Sequence, residues 1–132
     1  MPEIYLEIIL GNFIGDYFFQ ARWMAKLKSQ PGAKGNLVCI LHCLIYTLTV
    51  CAFCQKFSQI FVILVFLSHY PIDRYSLAGV WLKFINRGDF PRGNESIEKH
   101  QVIETLFCGI MYVVVDNTAH LFLLWLIVKH FC

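Results

Sequence analysis

Charge is what this chain has least of. Asp, Glu, Lys and Arg together make up 15% of its residues, where a soluble domain carries about 25%. With 58% hydrophobic residues and a mean hydropathy of +0.58, that shortage excludes an ordinary water-soluble domain. The sequence also lacks a Ser-His-Asp motif, a phosphate-binding glycine loop, an internal repeat and a low-complexity tract, so none of those signatures points to an enzyme. Its start does not read as a secretory signal. Glu3 and Glu7 accompany the first apolar stretch, no basic residue precedes it, and no small-residue cleavage site follows it. The first helix is therefore expected to be retained.

What the chain does have is apolar runs. Asn36 to Cys54 gives 19 residues without a formal charge, Phe57 to Ile72 gives 16, and Thr105 to Val128 gives 24 interrupted only by Asp116. About 20 mostly apolar residues cross a bilayer as a helix. The expectation is an all-α, polytopic membrane protein, one domain over residues 1–132, with transmembrane helices at about 4–21, 36–54, 57–72 and 102–131 in a bundle. Pro71 is expected to kink or end the third helix near the cytoplasmic surface. Tyr75 to Phe84 has apolar residues at helical spacing with Trp81 and Lys83, which predicts either a short interfacial amphipathic helix or a loop helix packed on the bundle. Asn86 to Gln101 is polar and punctuated by Gly and Pro, hence an exposed loop. The fourth helix, roughly 45 Å long, exceeds a hydrocarbon core of about 30 Å, so its surplus must protrude, tilt or be broken.

Nine of the eleven cations lie in two segments, one holding Arg22, Lys26, Lys28 and Lys34, the other Arg74, Lys83, Arg87, Arg92 and Lys99. Four alternating helices put both on one side, and the positive-inside rule makes that side the cytoplasm. The reading is a multi-pass inner-membrane protein with both termini outside the cytoplasm. Nucleic acid is not an expected partner, because the second basic segment also carries Asp89, Glu95 and Glu98. Cys39, Cys43, Cys51 and Cys108 sit inside apolar runs, where cysteine serves as a small hydrophobe. Cys54 and Cys132 are the two expected to reach the outer surface, and the Cys51-x-x-Cys54 pattern reads as packing ahead of redox or metal chemistry.

An ionisable residue in a membrane segment costs at least about 2.5 to 3.5 kcal/mol and so marks a functional site. Six stand out: Asp16, His42, His69, Asp73, Asp116 and His120. Counted from the cytoplasmic helix ends, the first four share one depth, and a fourth helix that starts outside the bilayer brings Asp116 to it, with His120 one turn below. His69 and Asp73 are related by i, i+4, and so are Asp116 and His120, so each pair projects from one helical face. Three His and three Asp converging from four helices offer ligands suited to zinc first, and to manganese or iron. Two metals, or one with carboxylates orienting its ligands, both fit that number. Asp16 or Asp116 is the expected base of a metal-dependent hydrolase acting on a phosphorylated or lipid-linked substrate, with Arg22 or Arg74 holding an anionic head group. A proton relay or a structural polar network is the competing account, as are Asp16 or Asp73 paired with Arg22 or Arg74 near the interface. His100 and His130 lie outside the layer. Oligomerisation is left open.

The strings Gly15-Asp-Tyr-Phe-Phe-Gln-Ala-Arg-Trp-Met24, Leu41-His-Cys-Leu-Ile-Tyr46, Leu67-Ser-His-Tyr-Pro-Ile-Asp-Arg74 and Val115-Asp-Asn-Thr-Ala-His-Leu121 resemble the sequential motifs of domain of unknown function 3307, a bacterial and phage family of small integral membrane proteins. The resemblance spans nearly the whole chain, and its specific part is the HxxxD and DxxxH pairs. The family pattern often has a His four residues before the first-helix Asp and a second His in helix two, where this chain has Asn12 and Tyr46. The resemblance implies the fold and the polar set, and no activity. A looser similarity, in HxxxD-type motifs within helices, is to membrane-bound metal-dependent hydrolases, an analogy only. The alternative function is a non-enzymatic membrane accessory or phage-encoded partner-binding protein whose polar cluster is structural.

Overall fold

In the computed structural model, residues 2–85 and 99–131 are described, with side chains over 4–85 and 105–131. Among them every regular element is a helix: α1 (Pro2–Phe13), continued by a π-helical turn (Ile14–Phe18), α2 (Arg22–Leu27), α3 (Ala33–Cys54), α4 (Gln59–Arg74), α5 (Leu77–Phe84) and α6 (Lys99–Phe131). α1 packs on α3, α3 on α4, α4 on α6 and α6 back on α1, so the four longer segments close a ring around one core.

Local chemistry sets the ends. α3 stops where Gln55 takes a left-handed conformation (φ 51°) and its amide donates to the carbonyls of Cys51 and Ala52. α4 starts at Ser58, whose hydroxyl accepts from the Phe61 amide, the usual N-cap arrangement. α4 runs on through Pro71 to Arg74, so Pro71 does not itself end the helix; the chain turns at Ser76 (φ 49°), and α4 and α5 meet at 53°. Proline removes one amide donor but keeps a helical φ, and the turn that follows it is pinned through Asp73.

The first predicted helix, about 4–21, is shorter than expected. It ends at Phe18, and the basic, half-apolar stretch beyond it folds into α2, which the sequence did not announce. The second starts three residues earlier than Asn36, at Ala33, and the third runs over Gln59–Arg74 rather than 57–72. The expected loop at Asn86–Gln101 lies outside the described residues except for its last three, which begin α6. Cys54 is not at the surface: with Cys51 it belongs to the core around Val50, Phe61, Val65 and Leu124, because the chain reverses one residue later. Cys132 lies outside the described residues.

Polarity is inverted relative to a soluble protein. Asn12, Asp16, His42, His69, Asp73 and His120 are buried, while Leu6, Phe18, Leu37, Leu48, Ile60, Leu67, Leu106 and Ile110 are exposed. Apolar surface on that scale marks contact with lipid or protein. α3 and the Thr105–Phe131 part of α6 are long and apolar enough to cross a membrane, and the bent pair α4 and α5 makes a third crossing if it counts as one. α5 packs one side on the bundle: Ala78 and Leu82 are buried, and Val80, Trp81 and Phe84 face outward.

Candidate metal centre

The first helix reaches the bundle interior because it carries almost no side-chain bulk where it meets α3. A Cβ on Gly11 would lie 3.1 Å from the Val50 Cα, and one on Gly15 would lie 2.9 Å from Tyr46 Cδ2 and 3.3 Å from Tyr46 Cα. Gly-x-x-x-Gly spacing permits this kind of close approach between helices in membranes. Asp16 then falls in the π-helical turn, and π turns interrupt α-helices frequently at functional sites.

All six residues singled out above come together, with α3 supplying His42, α4 His69 and Asp73, and α6 Asp116 and His120. None is more than 7% exposed. His42 Nε2 lies 3.0 Å from Asp73 Oδ2, 3.1 Å from His69 Nε2, and 3.2 Å from both Asp16 Oδ1 and Gln20 Nε2. A ring nitrogen has one hydrogen or one lone pair, so hydrogen bonding cannot satisfy four such neighbours. His69 Nε2 is 3.2 Å from Asp73 Oδ2 and 3.9 Å from Asp16 Oδ1. His120 Nε2 has no hydrogen-bond partner among the described residues, yet three carboxylate oxygens surround it: Asp73 Oδ1 and Asp116 Oδ2 at 3.6 Å and Asp16 Oδ2 at 3.8 Å. Two ligands about 2.0 to 2.1 Å from a tetrahedral zinc ion stand roughly 3.3 Å apart. Nitrogen and oxygen atoms gathered at such separations around unsatisfied lone pairs form a donor set that a divalent ion fits. Two groups meet this description, Asp16 with His42, His69 and Asp73, and Asp16 with Asp116 and His120.

The rings are held in place by groups the sequence reading did not assign. Tyr46 stacks on His69 (centroids 3.6 Å apart), which stacks on His120 (4.1 Å). The Tyr46 hydroxyl donates to Asn12 Oδ1 at 2.7 Å, and Asn12 donates to Asn117 Oδ1 at 3.0 Å. Asn117 in turn donates to the Tyr17 hydroxyl and to the Val113 carbonyl. Asn12 and Tyr46, the two departures from the family pattern, thus bond each other beside the cluster.

The cation at the site is Lys28, not Arg22 or Arg74. Its Nζ is 2.6 Å from Asp73 Oδ2. Burial opposes its charge, but the Asp73 and Asp16 carboxylates outweigh burial and hold its pKa above the ordinary lysine value, so it stays an ammonium at neutral pH. Arg74 instead binds the Asn36 side chain at 2.5 Å and the Gln30 carbonyl at 2.9 Å, tying α4 to the first turn of α3 and to the loop before it. Arg22 is exposed, as is His130, and nothing is described of the His100 side chain.

A cavity of about 170 Å³ opens onto the cluster, lined by Asp16, Tyr17, Gln20, Lys28, Tyr112 and Asp116 among others. A larger apolar hollow of about 570 Å³ runs between α5 and α6 past Leu77, Trp81, Val114, Thr118 and Phe122.

No curated protein and no solved structure matches the chain. Residues 4–132 match the family described as Protein of unknown function (DUF3307). The match takes in all four helices that supply the cluster, and the chain belongs to that family.

Proposed function

We propose that this is an integral membrane protein whose His/Asp cluster holds a divalent metal, zinc first and manganese or iron as alternatives, and hydrolyses a phosphorylated or lipid-linked substrate at the cytoplasmic interface. The observation that carries the reading is the cavity that joins the cluster to the outside. A purely structural ion needs no access, whereas this cavity is walled by two carboxylates, an ammonium and an amide. When bound, the ion would supply Lewis acidity and make a water acidic near neutral pH. Asp16 and Asp116 line the cavity, and the Asp116 oxygen not turned to His120 can take up a proton there. Lys28 is placed to receive an anionic group by a charge-assisted hydrogen bond. The hollow beside α6 offers apolar walls for a hydrocarbon chain.

In this reading α1 with its π turn is a fourth crossing. At the helical rise it runs to about 26 Å, near the lower limit for a span, and the glycine face that holds it on α3 fixes it in the bundle. The basic loops then face the cytoplasm and both termini lie outside it, in the inner membrane. Ser29 is exposed in the first basic loop. In a background with the native cysteines replaced, a Ser29→Cys protein is expected to react with a membrane-impermeant maleimide only after the cytoplasmic side is opened; reaction in intact cells would reverse the topology.

The activity is tested by incubating the metal-loaded protein in detergent with a polyprenyl or diacylglycerol phosphate. Release of inorganic phosphate that stops on chelation is expected, with Asp116→Ala at least a hundredfold slower. A metal-loaded protein that releases no phosphate from either lipid, or from a soluble phosphate monoester, would remove the hydrolase and leave the metal site.

A further inference from the structure

We infer that the cluster holds two metal ions rather than one, with Asp16 as the bridging carboxylate between them; this rests on the metal-binding reading above. The sign of it is how each carboxylate divides its oxygens. Asp16 turns Oδ1 to His42 and His69 and Oδ2 to His120. Asp73 turns Oδ2 to His42 and His69 and Oδ1 to His120. Two centres result. The first has four donors, His42 Nε2, His69 Nε2, Asp16 Oδ1 and Asp73 Oδ2. The second has three, His120 Nε2, Asp16 Oδ2 and Asp116 Oδ2, with Asp73 Oδ1 3.6 Å from His120 Nε2.

A single ion in the first centre leaves the second unexplained, because His120 is 2% exposed and its Nε2 has no hydrogen-bond partner among the described residues while facing three carboxylate oxygens. An unpaired polar atom of this kind is costly, and an ion there removes the cost. Helical bundles build paired sites from inward carboxylates and histidines, and ions in such sites sit about 3.5 to 4 Å apart, within the span of one carboxylate bridge. The charges add an expectation about the ligand. Three carboxylates and Lys28 carry −2 together, which one divalent ion neutralises; two leave +2, so the loaded centre takes an anion such as phosphate from the cavity side.

The experiment counts metal and tests coupling in detergent-purified protein. After loading with manganese and removal of excess, the wild type is expected to hold two ions per chain and to show an exchange-coupled electron paramagnetic resonance spectrum. Asp116→Ala, which removes a ligand of the second centre only, is expected to hold one ion with an uncoupled six-line spectrum. His120→Ala is the substitute should Asp116→Ala fail to fold. One ion in the wild type overturns the two-metal inference and leaves the metal reading intact. Two uncoupled ions, or a variant that still holds two, overturns the bridged arrangement. No ion in any protein overturns the metal reading itself.

Discussion

His69→Ala is expected to weaken metal binding at the first centre more than tenfold while the helical content stays that of the wild type. Changes to groups that only orient a metal ligand already cost about 10 to 100-fold in affinity, and His69 is argued to be a ligand. The bundle persists because its apolar core around Val50, Phe61, Val65, Leu124 and Ile127 does not include that ring. Thermal unfolding separates this account from a structural polar network. With metal in place, chelation lowers the wild-type midpoint, since an ion bound only by the folded state stabilises it, and it lowers the His69→Ala midpoint less. In a polar network without metal, chelation moves neither protein. His69→Ala then loses only interhelical contacts, worth about 0.6 kcal/mol each in membranes. Metal retained at the wild-type level by His69→Ala would exclude this residue as a ligand.

Gly15→Val should damage fold and site together. Its Cβ alone would stand 2.9 Å from the Tyr46 ring and 3.3 Å from the Tyr46 Cα, and that ring is pressed on His69, so neither neighbour has room to yield. Overpacking a tight contact costs about 1 to 3 kcal/mol. Here the relief is for α1 to move off α3, which carries Asp16 away from His42. The expected result is a midpoint several degrees lower, together with reduced metal content. Gly109→Val is the control, a helical glycine where an added Cβ meets nothing within 4 Å, and it is expected to behave as the wild type. Equal behaviour of the two variants would show that close approach at Gly15 does not position the site.

The site residues were legible in the sequence because their signal is local. His69 and Asp73, or Asp116 and His120, announce a shared face by spacing alone, and a charge inside an apolar run is conspicuous whatever it contacts. What stayed hidden depends on contacts between distant segments. Lys28 reaches Asp73 across 45 positions of sequence, and nothing about a lysine in a basic loop distinguishes it from Arg22 or Arg74. The π-helical turn under Asp16 has no residue signature. Gly11 and Gly15 carried one that was readable, the Gly-x-x-x-Gly spacing, and its meaning emerges only with Tyr46 and Val50 facing it. Pro71 does not end its helix: one missing donor does not outweigh a last turn anchored through Asp73 by Lys28, His42 and His69. Four crossings were read from hydrophobic runs, while the helix lengths give two, or three with the bent pair, because the first helix owes its place to packing on α3 more than to its own length.

The central claim, that buried His and Asp side chains hold a metal, is tested most directly by elemental analysis of the wild-type protein, expressed with zinc, manganese and iron supplied and purified in detergent without chelator. The account predicts a transition metal in stoichiometric amount, at least one ion per chain and two if the bridged centre forms, that survives gel filtration. Protein that emerges folded, at full helical content, with no metal above the buffer level would contradict it and leave the cluster as a polar network that ties the four helices together.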